Sequence, residues 1–273
     1  MKNKFVLYAE GVKVSHTVTD DIPESLSDSH CHDVYEIIYV IQGSGKYVVE
    51  GGEYIVRPRT IMLIHPLTYH HLMLESSTYE RYIIHFSKNS VSSVVLRMLE
   101  KLSEGEENCG NYFCPSSVSD AVSGIYERFE IALGLPEEES NAFVKTLVNE
   151  LIILLSAASG EKMIHLEDEL GARVVRYLNQ NINKDISLDK LAKHFFVSKY
   201  YLCRAFKKYN GISVHGYINY KRIMHAKLLI ESGETASSAA YKVGFGDYSA
   251  FYRAYVKIVG SSPTSEQSRK EKV

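Results

Sequence analysis

The chain has 273 residues, of which 45% are hydrophobic, with a net charge of −2 and four cysteines. The cysteines form no disulfide-scaffold or zinc-finger pattern. Cys109 and Cys114 could pair, but free thiols of a cytoplasmic protein are the simpler interpretation. No apolar run approaches the ~20 residues that span a bilayer, and no signal peptide is evident, so no membrane partner is expected. The length predicts two domains.

The charge is divided unevenly along the chain. Residues 1–160 hold 12 Lys and Arg against 22 Asp and Glu, a net charge of −10. Residues 161–273 hold 19 Lys and Arg against 11 Asp and Glu, a net charge of +8. Solvated charge scattered by chance is the alternative interpretation. The excess favours a polyanionic partner for the C-terminal half alone.

Residues 1–87 are predicted to form β-structure. Runs of aromatic and β-branched residues, typical of strands, lie at 35–41, 46–50, 53–57, 61–64 and 82–86. Gly51 and Gly52 separate the second run from the third, which is a hairpin signal. Short strands with no helices between them predict a small barrel or a sandwich.

The apolar residues change to helical spacing after residue 90, and helices are expected from Val91 to Leu102, from Val118 to Leu133 and from Phe143 to Ser156. The later helices have more apolar surface than one small barrel face needs. We therefore expect residues 117–158 to form a homodimer interface. A junction near Ser159–Lys162 gives domains of 1–160 and 161–273, the second of which begins with a helix at 166–181.

One stretch occurs twice in the basic half. Residues 198–213 align with 247–262 when shifted by 49 positions, which brings Arg204 onto Arg253. Each copy opens at a helix N-cap residue, closes at a glycine, and follows a short apolar helix. A helix, a tight turn and a second helix with an exposed arginine form the helix-turn-helix pattern, and two copies in register make it specific.

The exposed face of each second helix carries the candidate DNA contacts. They are Ser198, Lys199, Tyr200, Cys203, Arg204, Lys207, Lys208, Tyr248, Ser249, Tyr252, Arg253 and Lys257. Arginine reads guanine through two hydrogen bonds, so Arg204 and Arg253 are expected to contact bases. Lys199, Lys207 and Lys208, in the first copy of the repeat, are better placed for phosphates. The alternative is that each arginine is only a solvated helix residue.

Further segments around the repeat are distinctive: Ile186–Ala192, Val243–Asp247 and Gly260–Pro263. With them, residues from about 167 to 264 resemble the AraC/XylS family of transcription regulators. The resemblance implies two helix-turn-helix units joined by a linker helix, here Val214–Ser232. About 18 helical residues span ~27 Å, which with the helix widths places the two second helices about one DNA turn, ~34 Å, apart.

The N-terminal half contains a second pattern: His30, His32, Glu36 and Gly43, followed by Pro66 and His70. It resembles the cupin sensor domain that is common in the same family. We expect His30, His32 and Glu36 to share strand parity and face the interior, with His70 joining them from another strand. The candidate ligand-binding residues are His30, His32, Glu36, Tyr47, Tyr69 and His70.

Three interpretations of this cluster stay open. Its imidazoles and carboxylate form a polar pocket that hydrogen-bonds sugar hydroxyls, or His30, His32, Glu36 and His70 hold a transition metal as in enzymatic cupins, or the groups are structural. The tyrosines either stack on a sugar ring or simply pack. The resemblance favours the pocket, because sensors of this family bind small molecules without doing chemistry on them.

The expected fold is α+β: an N-terminal cupin-like β-barrel with a helical dimerisation segment, then an all-α domain with two helix-turn-helix units. The resemblance implies a non-enzymatic, sequence-specific regulator, such as an activator, without a cofactor. Its partners would be double-stranded DNA, a small effector of carbohydrate type, RNA polymerase and a second copy of the chain. The alternative is a metal-dependent cupin enzyme with an appended DNA-binding module. No Walker loop, dinucleotide fingerprint or nucleophile–base motif is present.

Overall fold

The computed structural model describes residues 2–20, 30–50, 52–103, 111–113, 119–157 and 169–264. The chain divides into two compact units, Met1–Leu166 and Glu167–Val273. The junction expected after residue 160 lies outside the described residues, as do Cys109 and Cys114 and the first residues of the helix expected from 166. Among the described residues, neither Cys31 nor Cys203 forms a disulfide.

Nine strands are described in the N-terminal unit. They are β1 (Lys2–Ala9), β2 (Val12–Asp20), β3 (Tyr35–Gln42), β4 (Gly45–Val49), β5 (Gly52–Val56), β6 (Ile61–Ile64), β7 (His70–Leu74), β8 (Thr78–Phe86) and β9 (Asn111–Phe113). All five predicted β runs are confirmed as strands within a residue or so, except that β8 begins earlier than expected. The predicted hairpin is the antiparallel pair β4–β5.

The strands form two antiparallel sheets, in the orders β1-β2-β8-β3-β6-β9 and β5-β4-β7. The predicted α+β fold is confirmed, although the barrel is not closed among the described residues: the two sheets face each other without joining. Their shared core contains Ile38 and Tyr79 from the larger sheet and Tyr47 and Leu72 from the smaller one. We call the side of the larger sheet that faces the smaller one its inner face.

Helices cover the opposite side of the larger sheet. They are α1 (Ser93–Ser103), α2 (Ser119–Arg128) and α3 (Glu137–Ala157). The second predicted helix is shorter than expected, because α2 ends at Arg128 and a 3-10 helix follows at Ile131–Gly134. By length and composition α3 alone, among the described helices, would suffice to cross a membrane, but its Val144, Leu147 and Leu151 are buried in the core beneath the sheet.

Six helices are described in the C-terminal unit. They are α4 (Leu170–Asn181), α5 (Leu188–His194), α6 (Lys199–Asn210), α7 (Val214–Glu231), α8 (Ala236–Lys242) and α9 (Tyr248–Val259). The pairs α5–α6 and α8–α9 are the two predicted helix-turn-helix units, and α7 is the predicted linker helix of 18 residues.

Local capping explains where the paired helices begin and end. The side chains of Ser198 and Asp247 accept hydrogen bonds from backbone amides in the first turns of α6 and α9. Gly211 and Gly260 follow these helices in the left-handed region, with φ of 71° and 81°. Each glycine amide donates to the carbonyl four residues earlier, which closes the last turn.

The turns inside the two units differ by one residue. The first helices, α5 and α8, begin 48 positions apart, whereas the second helices, α6 and α9, begin 49 apart. The left-handed position of the turn is Phe196 in the first unit, with φ of 54°, and Gly244 in the second, with φ of 91°. A Cβ at Gly244 would lie 2.8 Å from the Asn183 carbonyl oxygen, so this turn requires glycine.

Within the C-terminal unit, Arg222 of α7 links the segment before the first helix-turn-helix motif to the turn of the second. Its Nε donates to the Ile182 carbonyl at 2.8 Å and its Nη2 to the Lys184 carbonyl at 2.6 Å, both in the segment that leads into the first unit. Its Nη1 donates to the carbonyl of Gly244, in the turn of the second unit, at 2.9 Å. One guanidinium therefore holds the segment before α5 and the turn between α8 and α9 to the linker helix.

Candidate functional sites

The first candidate site is the exposed face of α6 and α9. Most of the predicted contacts are exposed: Ser198, Lys199, Tyr200, Arg204, Lys207, Lys208, Tyr248, Ser249, Tyr252, Arg253 and Lys257. Cys203 is half-buried. The opposite faces are buried through Leu202 and Phe206 in α6 and through Phe251 and Tyr255 in α9. Each helix thus exposes one polar face, and its buried apolar face anchors it in the core of the unit.

The two arginines stand free on this face. Among the described residues, neither Arg204 nor Arg253 has a hydrogen-bond or ion-pair partner. Lys199 differs, because its Nζ lies 2.9 Å from a carboxylate oxygen of Asp189. Unpaired guanidinium groups on an exposed helix are available to an acceptor-rich surface such as the guanine edge.

Sequence analysis missed two aromatic residues beside these helices. Phe196 is 94% exposed in the turn before α6, and Tyr241 is 83% exposed near the end of α8. A large side chain at positive φ is uncommon. The exposure of Phe196 follows from this turn geometry, which no local sequence signal indicates.

The second candidate site is a cluster of titratable groups at one end of the inner face. The Glu36 Oε2 atom lies 3.0 Å from His32 Nε2 and 3.1 Å from His70 Nε2. Its Oε1 atom lies 3.4 Å from His85 Nε2. Glu36 opposes His85 across the β3–β8 pair, and both side chains therefore project to the same side.

The cluster shifts the pKa values of Glu36 and His32. Burial alone would raise the pKa of the Glu36 carboxyl, but His32, His70 and His85 hold it well below its usual value. Burial acts to lower the pKa of His32, and the adjacent Glu36 more than offsets this, so that pKa is raised. The result is a buried carboxylate among imidazoles, a group that accepts and donates hydrogen bonds in a small volume.

Only some of the predicted residues of this site lie together in the buried cluster. His32, Glu36 and His70 come together as expected, and the buried Tyr47 ring lies 6.2 Å from the His70 ring. The strand parity argued for His30 and His32 is wrong, because β3 begins only at Tyr35. His30 instead forms an isolated bridge with His70 and is exposed.

Two further residues complete the account of this cluster. Tyr69 is buried, and its backbone amide donates to the Glu50 carboxylate. His85 was missed by sequence analysis, because only the register of β8 against β3 brings it opposite Glu36.

These donors fit a transition metal. His32 Nδ1 and His70 Nδ1 each donate to a backbone carbonyl, of Val34 and Thr68, at 2.9 Å. In a neutral ring this leaves the Nε2 lone pair directed toward Glu36, the arrangement that orients histidine ligands of metals. The candidate ligand atoms of His32, Glu36 and His85 all lie within 4.8 Å of one another. His70 Nε2 is buried, and its contact of 3.1 Å with the Glu36 carboxylate does not have the geometry of a hydrogen bond.

A unit with two helix-turn-helix motifs and a separate unit with an inward-facing polar cluster define a DNA-binding regulator with a sensor domain. Comparison with known families agrees. Residues 17–151 match the model of the AraC-like ligand binding domain, and residues 191–269 match a helix-turn-helix domain model. The chain belongs to the AraC family of transcription regulators, as its sequence predicted.

Relatives that align with most of this chain are also named as transcription regulators. The transcriptional activator RhaS of Klebsiella pneumoniae is 25% identical over 258 residues, which are 89% of this chain and 88% of that protein. The uncharacterized transcriptional regulator YfiF of Bacillus subtilis is 23% identical over 247 residues, 86% of this chain and 76% of that protein. These names agree with a regulator and not with the alternative of an enzyme.

Solved structures show weaker global similarity. ToxT from Vibrio cholerae covers 94% of this chain and 97% of its own, at 14% identity and a TM-score of 0.35. The DNA-binding domain of AdpA, solved with a target DNA, covers 38% of this chain and 93% of its own, at 22% identity and a TM-score of 0.35.

Proposed function

We propose that this regulator activates transcription in response to a small polar effector, a carbohydrate, bound between the two sheets of the N-terminal unit. The effector-binding residues are His30, His32, Glu36, Tyr47, Tyr69 and His70. The observation that carries the proposal is the buried Glu36–histidine cluster. A sugar hydroxyl can donate a hydrogen bond to the carboxylate and accept one from an imidazole N–H.

The DNA contacts proposed for the C-terminal unit divide into two kinds. Arg204 and Arg253 contact base edges in successive major grooves, with Tyr200, Cys203 and Ser249 beside them. The other exposed positions, Ser198, Lys199, Lys207, Lys208, Tyr248, Tyr252 and Lys257, contact the backbone or flank the bases. The free arginines at equivalent positions of the two units support this division.

The remaining partners follow from the same proposal. Ile131, Leu133 and Ile153 are large apolar residues that are about half exposed on the helical segment, which supports homodimerisation through residues 117–158. An activator in the cytoplasm contacts RNA polymerase once it is bound upstream of a promoter.

Selection of binding sites from random duplex DNA by the full chain tests the proposal. We expect one enriched sequence, bound at least about a thousandfold more tightly than unrelated duplex at the same salt concentration. Binding that falls with salt but never discriminates between sequences would contradict a sequence-specific regulator.

The candidate ligand atoms of His32, Glu36 and His85, which lie within 4.8 Å of one another, favour a second candidate for the sensor, a bound transition metal. When bound, such a metal acts as a Lewis acid, and His32, Glu36, His70 and His85 would hold it. Elemental analysis of the full chain, purified without a histidine tag, separates the two. If the site binds a metal, the wild type should contain about one metal ion per chain. Glu36→Gln should lose this metal, whereas the exposed control Glu10→Gln should keep it. If the site is only an effector pocket, the wild type, Glu36→Gln and Glu10→Gln should all contain no metal.

A further inference from the structure

A second polar group lies on the inner face, away from the histidine cluster. Arg81 of β8 is only 5% exposed, and its Nε and Nη1 atoms are buried without hydrogen-bond partners. No carboxylate among the described residues pairs with it. The guanidinium lies over the Tyr79 ring, 4.6 Å from the ring centroid. That contact engages the face of the cation and does not satisfy its Nε and Nη1 donors.

Unpaired hydroxyls surround this arginine. Thr17 opposes Arg81 across the β2–β8 pair, and Thr19 opposes Tyr79. The hydroxyl oxygens of Thr17, Thr19 and Tyr79 are all buried and lack hydrogen-bond partners. Residues that oppose each other, or alternate along a strand, project to the same side of a sheet. The four side chains therefore form one patch on the inner face.

An unpaired ionised guanidinium in a protein interior is costly, and buried polar groups are normally satisfied. Four unsatisfied polar side chains in one patch point to something that satisfies them together. Arg81 and the three hydroxyls supply hydrogen-bond donors around a single positive charge. The complement of that set is a small group with one negative charge and several acceptor lone pairs.

We propose that Arg81, Thr17, Thr19 and Tyr79 form an anion subsite that binds a carboxylate of the effector. A phosphate dianion fits less well, because one guanidinium leaves one of its negative charges buried and unbalanced. Arg81 and His85 lie four residues apart on β8, which is about 13 Å along a strand. The effector is then a hydroxylated carboxylic acid, with its carboxylate at Arg81 and its hydroxyls toward the Glu36 cluster. This inference rests on the proposed effector site.

Small anions test the subsite without knowledge of the whole effector. The melting temperature of the full chain is measured against acetate and phosphate, with chloride as the reference at equal ionic strength. We expect acetate to raise it saturably in the wild type and in Arg97→Met, an exposed arginine of α1, but not in Arg81→Met. Without acetate, Arg81→Met is expected to melt no lower than the wild type, because an unpaired buried charge has been removed.

Other results overturn the inference. Acetate that acts no differently from chloride, or that stabilises Arg81→Met as much as the wild type, excludes an anion subsite at Arg81. A stronger effect of phosphate than of acetate excludes the carboxylate assignment. An Arg81→Met chain that unfolds or melts several degrees lower identifies a structural arginine. In Thr17→Val we expect the acetate affinity to fall several-fold with folding intact, and an unchanged affinity counts against the subsite.

The proposed function is judged separately from this subsite. Binding of the selected DNA site by Arg81→Met in the absence of acetate is expected to equal that of the wild type. If acetate has no effect but DNA recognition persists, only the carboxylate subsite fails. If the wild type recognises no DNA sequence, the regulator proposal fails whatever acetate does.

Discussion

Replacement of Arg204 by alanine is expected to reduce the affinity for the selected DNA site by about 5- to 150-fold, which corresponds to the loss of one two-hydrogen-bond base contact worth ~1–3 kcal/mol. The side chain is exposed on α6 and has no partner within the described residues, so its removal leaves the fold intact. Affinity for unrelated duplex is expected to change little. The measurement is a gel-shift titration on both duplexes at fixed salt concentration.

Lys207→Ala is the matched comparison, because it removes a positive charge from the same exposed helix. A phosphate contact carries no sequence information, so this variant is expected to weaken all duplexes alike. It should lower the slope of log affinity against log salt by about one unit. The assignment of roles is wrong if Arg204→Ala weakens both duplexes equally while Lys207→Ala affects only the selected one.

Replacement of Arg222 by alanine is expected to destabilise the C-terminal unit by about 3 kcal/mol. The change removes three hydrogen bonds from a cation to backbone carbonyls, and hydrogen bonds to charged groups contribute ~1.5–3 kcal/mol each before a discount for partial exposure. The denaturation midpoint, followed by the helical circular dichroism signal of the full chain, measures this effect.

Two variants make the Arg222 result specific. Arg222→Lys keeps the charge but not the planar fork, and we expect it to restore less than half of the lost stability. Arg253→Ala removes an exposed arginine from the same unit and should change stability by no more than about 0.5 kcal/mol. Equal stability of Arg222→Ala and the wild type would mean that the segment before α5 and the turn between α8 and α9 keep their places without the guanidinium.

The C-terminal unit was largely predictable from the sequence because its signals are local. Ser198 and Asp247 cap helices within three residues of themselves, and Gly211 and Gly260 end those 12-residue helices. The linker helix was placed to within one residue of its observed end. The structural role of Arg222 was not predicted, because its three acceptors lie 22 to 40 residues away along the chain.

The N-terminal unit was predicted less completely because sheet geometry is long-range. The strands themselves follow from β-branched and aromatic runs, but the pairing of β8 with both β2 and β3 cannot be read from any one segment. That pairing alone brings His85 to Glu36 and Thr17 to Arg81. Parity failed at His30, because alternation applies only within a strand and β3 begins at Tyr35.

The central claim is that one chain places two recognition helices, α6 and α9, on one face of DNA. A hydroxyl-radical footprint of the full chain on the selected site tests it most directly. The account predicts two protected patches for each bound chain, about 10 base pairs apart on the same face, with one patch lost in Arg253→Ala. A single patch shorter than one helical turn, or two patches on opposite faces, would contradict it.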